Sequence, residues 1–458
     1  MTTLLRPPGP RTSVLRWTAG WFLNRHRPDV HLLGSLLRLA ERYGDLARFR
    51  LGLREIYFVN HPDLVRDVLV TRHRKFLKSR GLEGSRLVLG EGLLTSEGEF
   101  HLRQRRLIGP AFQPGRMPGY ARTMVERTTA LGARWRDGAQ VDAHREMMEL
   151  TLGIAGETLF GAEVGSEADE IGRALTDLIR LFPLTFIPFY KLFLRLPLPF
   201  RRRYQESRRR LDASIYRMIE ARRTGGADRG DLLSILLAAR DGADGKGAAV
   251  KMSDVEVRDE AMTLFLAGHE TTANALAWTW FLLSRNPEAE AKLHREIDAV
   301  LAGRLPDYQD LERLPYARSV FAESLRLYPP AWVLGRRAAE DTELGGYRLP
   351  RETTVLISPY VLHRTARFFP DPDRFDPGRW TPEADASRPP HAYLPFGGGP
   401  RNCIGESFAW MEGVLVLAAL ARDWKLRSEP GHEPRLQPIF TLRPLGGLPM
   451  VLERRRGR

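Results

Sequence analysis

The chain has 458 residues, 43% of them hydrophobic, a formal charge of +14 and a pI near 10.2. Its single cysteine excludes internal disulfides and a cysteine-held iron–sulfur cluster, and agrees with a reducing cytosol. The basic balance admits an acidic protein, a membrane surface or nucleic acid, but the sequence holds 63 arginines against seven lysines. Such a ratio follows from GC-rich coding alone. No nucleic-acid-binding module is recognisable, so nucleic acid is not expected as a partner.

No composition break, linker or repeat divides the chain, so residues 1–458 read as a single domain, with about 1–30 and 453–458 peripheral. Arg6, Arg11 and Arg16 interrupt the N-terminus. Its apolar runs fall far short of the roughly 20 residues of a spanning helix, so no transmembrane anchor or signal peptide is expected. Leu46 to Val59 alternates as a hairpin around Gly52-Leu53. His101-Leu102-Arg103-Gln104-Arg105-Arg106 is a basic stretch; Arg103 and Arg106 read as solvated charges or partner contacts. Residues 181–190 (Leu-Phe-Pro-Leu-Thr-Phe-Ile-Pro-Phe-Tyr) are apolar and aromatic, and ordinary core is as good a reading as a lid. Ser253-Asp254-Val255-Glu256 fits a capping box and opens a helix to about Arg285, stopped by Pro287. Thr353 to Ser358 reads as a strand and Gln437 to Leu452 as a terminal hairpin. Proline-rich stretches at 370–377, 382–400 and 434–448 read as irregular connections.

Two segments carry chemistry. The long helix contains Ala267-Gly268-His269-Glu270-Thr271-Thr272, and glycine beside paired threonines is a poor helix interior. The Thr271 hydroxyl can bond the Ala267 carbonyl four residues back, opening a niche flanked by a hydroxyl and a carboxylate. Further on stands Phe396-Gly397-Gly398-Gly399-Pro400-Arg401-Asn402-Cys403-Ile404-Gly405, ahead of an apolar helix from Glu406 to Asp423. Free N–H groups of a first helical turn and a nearby arginine favour a thiolate, and the glycines let the backbone approach a flat ligand. Glu323 and Arg326 lie three apart on one helix face, a weak signal in so arginine-rich a chain.

The stretch 396–405 resembles the haem-binding loop F-x-x-G-x-R-x-C-x-G of the cytochrome P-450 family, with Phe396, Gly399, Arg401, Cys403 and Gly405 in every fixed position. Segment 267–272 resembles the family's A-G-x-[DE]-T-T, and Phe375-Asp376-Pro377-Gly378-Arg379-Trp380 its P-x-R-[FW]. The resemblance runs from about Asp45 to Leu452 and implies a soluble bacterial type. Its fold is mainly α with a smaller β-rich lobe, a triangular prism with haem b between the long helix and the cysteine loop. It implies Cys403 as the axial iron ligand. Thr271 and Glu270 serve oxygen activation and proton supply, and Glu323, Arg326 and Arg379 form a buried ionic triad. Haem contacts fall on His101 (tryptophan in many members), Arg105, Arg336 or its neighbour Arg337, Arg401, Phe396, Gly397, Gly405 and Ala267. Pocket candidates are Phe182, Phe186, Val333, Leu334, Ile439 and Phe440.

The expected function is a cytoplasmic, monomeric monooxygenase. It inserts one atom of O2 into a small lipophilic substrate by hydroxylation or epoxidation. The chain stops about forty residues after the loop's helix, so a separate ferredoxin or flavodoxin must relay electrons from NAD(P)H. Terpenoid, fatty acyl and macrolide substrates fit an apolar pocket, with a lean toward terpenoids or fatty acids. Alternatives are a peroxide-driven hydroxylase and a haem-binding sensor. Glu270-Thr271 disfavours both.

Overall fold

The computed structural model describes residues 6–10, 28–51, 54–161, 174, 199–225, 230–241 and 250–455. The apolar stretch 181–190 with Phe182 and Phe186, residues 52–53 and the last three residues lie outside them. The chain forms two compact units. The first comprises Met1–Arg80, Ser319–Cys403 and Gly431–Gly446. The second comprises Gly81–Arg318, Ile404–Pro430 and Gly447–Arg458.

In chain order the elements that matter for function begin with α1 (Pro28–Tyr43), β1 (Leu46–Leu51), β2 (Arg54–Val59) and β3 (Phe76–Lys78). Then come α2 (Gly98–Ile108), α3 (Met117–Arg134), β4 (Gln140–Asp142), α4 (Ala143–Phe160) and α5 (Pro199–Gly225). They are followed by α6 (Asp254–Arg285), α7 (Pro287–Leu301), α8 (Pro315–Leu327), β5 (Leu334–Ala338) and β6 (Thr354–Ile357). The last are α9 (Glu406–Ala421), β7 (Trp424–Ser428), β8 (Arg435–Pro438), β9 (Leu442–Leu445) and β10 (Pro449–Arg454).

The first unit is built on a five-stranded sheet in the order β1-β2-β6-β5-β3. The predicted hairpin is present, with Leu46 opposite Val59. β6 runs parallel to β2, with Ile357 beside Val59, and antiparallel to β5. Residues Ile56 to Val59 are β-branched or aromatic and buried, as a strand covered on both faces requires. Tyr57 and Val59 join a core with Phe76, Val355, Ile357 and Leu394, whereas Ile56 and Phe58 face Leu36, Phe49 and Trp332. Leu394 thereby anchors the run-up to the cysteine loop in the sheet's core.

The second unit is helical, with a small antiparallel sheet in the order β7-β10-β4. At 32 residues α6 is about 48 Å long at 1.5 Å per residue. Its capping box is formed as the sequence predicts, Ser253 accepting from Glu256 N–H and Glu256 from Ser253 N–H. α6 packs along α4, where Phe160 and Phe265 stack at 4.0 Å and 8°. α9 is buried on all sides from Met411 to Ala421 and packs on α3 and α6.

Several boundaries differ from expectation. The terminal hairpin is Arg435–Pro438 with Leu442–Leu445; Gly446 and Gly447, at φ +86° and +90°, then turn Pro449–Arg454 into the other unit's sheet. Residues 382–387 are a short helix rather than an irregular connection, because the Thr381 hydroxyl caps it. The 6–10 segment is not peripheral: Arg48 N–H donates to Pro8 O at 2.8 Å. Nor are 453–455, since Glu453 and Arg454 pair with β7 and Arg455 meets Asp298 at 2.7 Å.

Asp142 joins distant parts of the second unit. Its carboxylate caps α4 at His144 N (3.1 Å) and also accepts Leu448 N–H (2.8 Å). Asp142→Ala should lower the unfolding free energy by about 1–3 kcal/mol, because it removes a cap and leaves Leu448 N–H unpaired. Denaturant titration checks this, and an unchanged midpoint contradicts it.

Candidate functional site

The residues singled out by sequence fall in both units and are taken within each.

In the second unit, every residue of α6 from Val257 to Leu283 is buried except Ala267, Gly268 and Thr271. Spacing of three and four places them on one face, so they form a window of small side chains in a sealed helix. Thr271 Oγ1 donates to Ala267 O at 2.7 Å, the back-bond expected from the sequence. His269 Nδ1 lies 2.8 Å from Phe265 O, and Asn274 Nδ2 donates to Glu270 O at 2.7 Å. The Thr151 hydroxyl of α4 reaches His269 O at 2.9 Å. Side chains thus engage four carbonyls of this stretch, those of 265, 267, 269 and 270. Glu270 is fully buried behind the window.

His101 is buried on α2, its Nδ1 3.3 Å from Ser96 Oγ, and Arg105 is half-buried. Arg103 is not a solvated surface charge. Its Nη1 lies 2.5 Å from Glu256 Oε1, and Gln104 Nε2 adds a bond of 3.2 Å, tying α2 to the first turn of α6. Arg106 is exposed. Gly405 stands at the N-terminus of α9, where a Cβ would come to 3.6 Å from the Phe112 ring.

In the first unit, Cys403 is exposed, unusually for a cysteine, and its N–H donates to Phe396 O at 2.9 Å. Gly397 and Gly399 take φ +76° and +70°, open to glycine and strained for other residues. A Cβ on Gly399 would lie 2.0 Å from Leu69 O, so the loop's approach to its neighbour requires glycine. Arg401 Nη1 ties the loop to Phe76 O at 2.7 Å. Of the two arginines on β5, Arg337 pairs with Glu352 at 2.5 Å, while Arg336 is buried with Nη1 donating to Gly335 O at 3.0 Å. Val333, Leu334, Ile439 and Phe440 are half-buried. The Trp332 indole N–H brings the first pair toward the second by donating to Ile439 O at 3.2 Å.

The ionic framework is dense. Arg326 and Glu323 are both 0% exposed and meet in a fork, Nε and Nη2 to the carboxylate at 2.8 Å each. The remaining Arg326 protons go to the carbonyls of His363 (2.9 Å), Pro372 (2.5 Å) and Arg374 (3.0 Å). All five guanidinium donors are therefore used. Glu323 also accepts Asp376 N–H at 2.9 Å and the Trp380 indole at 3.0 Å, and Arg379 Nε lies 3.4 Å away.

Three further side chains complete this region, and two of them, Tyr393 and Glu412, lie outside any motif. Trp380 bonds Glu323 directly, and Tyr393 donates from its hydroxyl to Ala322 O at 3.0 Å. Glu412 is fully buried on α9, and burial pushes its carboxyl up to about 8, against a smaller opposing pull from the Thr272 hydroxyl. A lone carboxylate in the apolar run Met411 to Leu417 was its sequence signal.

A haem needs a soft axial donor at an accessible place, and cations nearby for two carboxylates. An exposed thiol in a glycine-lined loop suits the first, and Arg336 and Arg401 lie in the same unit for the second. Among the described residues no group of three or more histidine, cysteine or carboxylate side chains could hold a bare metal ion. The donor set fits haem.

Arg326→Lys should lower the unfolding free energy by about 3–5 kcal/mol, since an ammonium cannot fill the fork and Glu323 stays buried. A midpoint within error of wild type would contradict this. Glu412 has a folded pKa above its unfolded value near 4.5, so it favours the native state most at low pH. That contribution declines, by at most about 1.4 kcal/mol per pH unit, as pH rises from about 4.5 to about 8, and is flat above. Glu412→Gln should flatten the decline, seen in unfolding free energies measured across that range.

A sequence profile described as Cytochrome P450 matches residues 7–448. "Cyclooctatin synthase" of Streptomyces melanosporofaciens is 44% identical, covering 94% of this chain and 93% of its own. "Cyclooctat-9-en-7-ol 5-monooxygenase" of the same organism is 39% identical, over 95% and 96%. Among solved structures, a "cytochrome P450DA heme domain" superposes with a TM-score of 0.87 at 28% identity, covering 99% of each chain. The mostly helical architecture is therefore that of its relatives, and the chain, a monooxygenase, belongs to the cytochrome P450 family.

Proposed function

We propose that this enzyme oxygenates a cyclic terpenoid, as one cytoplasmic, monomeric domain. A separate ferredoxin or flavodoxin, with its reductase, supplies electrons from NAD(P)H. The observation that carries the substrate class is full-length identity of 44% and 39% with two proteins named for one cyclic skeleton. The half-buried apolar side chains of Val333, Leu334, Ile439 and Phe440 agree with a substrate without charge.

Cys403 would hold the iron, with His101, Arg105, Arg336 and Arg401 toward the propionates and Phe396, Gly397, Gly405 and Ala267 against the ring. When bound, haem supplies the one-electron chemistry with O2 that no side chain offers. The protein's part is proton management. Thr271 Oγ1 keeps its own proton on Ala267 O, so its lone pairs are left to accept a hydrogen bond at the window. Glu270, buried one residue before, is the proton carrier behind it. Glu323, Arg326 and Arg379 hold the haem loop from behind and take no chemical step. Arg106, exposed on α2, is a contact proposed for an acidic electron donor.

Among the described residues no helix is long and apolar enough to cross a membrane. A panel of terpene hydrocarbons and alcohols, fatty acids and macrolides tests the substrate class through the haem absorption shift on binding and product mass with O2, NAD(P)H and reductase. Terpenoids should bind and be oxygenated; a response confined to fatty acids or macrolides would overturn the assignment. With the terpenoid substrate, Thr271→Ala should cut product per NAD(P)H at least tenfold and release hydrogen peroxide. Unchanged coupling would remove Thr271 from its role.

A further inference from the structure

His363 is fully buried in the first unit, just after the short helix Pro359–Leu362. Both its ring nitrogens meet main-chain atoms. Nδ1 is 3.3 Å from Arg326 O, and Nε2 is 3.0 Å from Leu394 N. The Leu394 amide can only donate, so Nε2 must offer a lone pair. The Arg326 carbonyl can only accept, so Nδ1 must carry the proton. One tautomer satisfies both partners. Arg326 closes the clasp from its side, Nη1 donating to His363 O at 2.9 Å.

Leu394 is where the cysteine loop begins. Pro395 has no N–H to contribute. Leu394 O accepts Gly397 N–H at 3.1 Å, and Phe396 O accepts Cys403 N–H at 2.9 Å. A continuous series of short contacts therefore runs from Arg326 through the His363 ring to the backbone of Cys403. The charged and titratable groups facing the ring are the Arg326, Arg364 and Arg388 guanidiniums, and the Tyr393 ring lies 5.1 Å away. Burial first, then the Arg326 charge, holds the imidazole neutral, well below its ordinary range.

We propose that His363 is the positioning residue of the thiolate loop: its single tautomer fixes Leu394 N–H and, through it, the orientation of Cys403. The haem-binding pattern of the loop does not include this residue. A second proton on Nε2 would set N–H against N–H and unfasten the loop. Acid should therefore dislodge the thiolate through His363 before the protein unfolds. The inference rests on Cys403 being the iron ligand.

The test uses the holoprotein and three variants. Gln at 363 can place Oε1 where Nε2 stands; Asn is too short to reach Leu394, and Leu offers no acceptor. The readout is the Soret band of the reduced, carbon monoxide-treated protein, red-displaced with thiolate bound, followed against pH. His363→Gln should keep the displaced band, with its acid conversion shifted to lower pH because no second proton can enter. His363→Asn and His363→Leu should raise the ratio of undisplaced to displaced band about tenfold at the same pH. In the haem-free chain, deuterium exchange of the Leu394 amide should quicken about tenfold in the same two variants and not in His363→Gln. If the Leu variant does not fold, the Gln and Asn pair decides. The proposal is overturned if Asn matches wild type in band and exchange, or if Gln is as impaired as Asn. A wild-type protein without the displaced band would instead defeat the haem-thiolate reading, while the exchange comparison would still judge His363.

Discussion

A fully buried carboxylate and guanidinium are the constraint on which the cysteine loop depends. Burying such a pair is expensive unless every remaining donor and acceptor is satisfied. Glu323 and Arg326 meet that demand by recruiting main chain: the carbonyls of His363, Pro372 and Arg374, the amide of Asp376 and the indole of Trp380. Satisfying the charge thus dictates where residues 363 to 380 run. Through His363 it reaches Leu394, and Leu394 is itself locked in the sheet's core. A loop rich in glycine, costly to order, is in this way held at both its entry and, by Arg401 on Phe76 O, its middle.

The long helix solves the opposite problem. Its window needs glycine, alanine and threonine, which weaken a helix interior. Burial of nearly all its other residues and the aromatic stack of Phe160 on Phe265 supply what local propensity lacks. Hydroxyl and imidazole side chains bond the helix's own carbonyls at Phe265 and Ala267, beside the window, and again at Ala275 in the sealed part. Nearby, burial pushes the Glu412 carboxyl up to about 8, with only the Thr272 hydroxyl pulling against it. The apolar packing of α9 therefore coexists with a carboxyl at its centre.

Much of this was readable from residue order, for local reasons. The start of α6 was legible because a capping box involves four consecutive residues. The Thr271 back-bond was legible because it spans one turn. The cysteine loop was legible because its glycines, arginine and cysteine lie within ten positions. Other features were not. Arg103 looked like a surface charge because its partner Glu256 is 153 residues away. Nothing in β5 alone separates Arg336 from Arg337; strand parity and the position of Glu352 do. The terminal hairpin was placed too late because the fate of Pro449–Arg454 depends on Trp424–Ser428 and on Asp142, which caps a helix 306 positions earlier and receives Leu448 N–H.

By itself the sequence determined the ionic pair and the family and singled out the sulfur and the helix window proposed to serve the haem, since each is written in short spacings that backbone geometry obliges. Only the tertiary structure decided that Arg326 would have every proton engaged, that a neutral histidine would stand between it and the cysteine loop, and that Glu412 would be fully buried. Those outcomes follow from burial, and burial is set jointly by segments hundreds of residues apart.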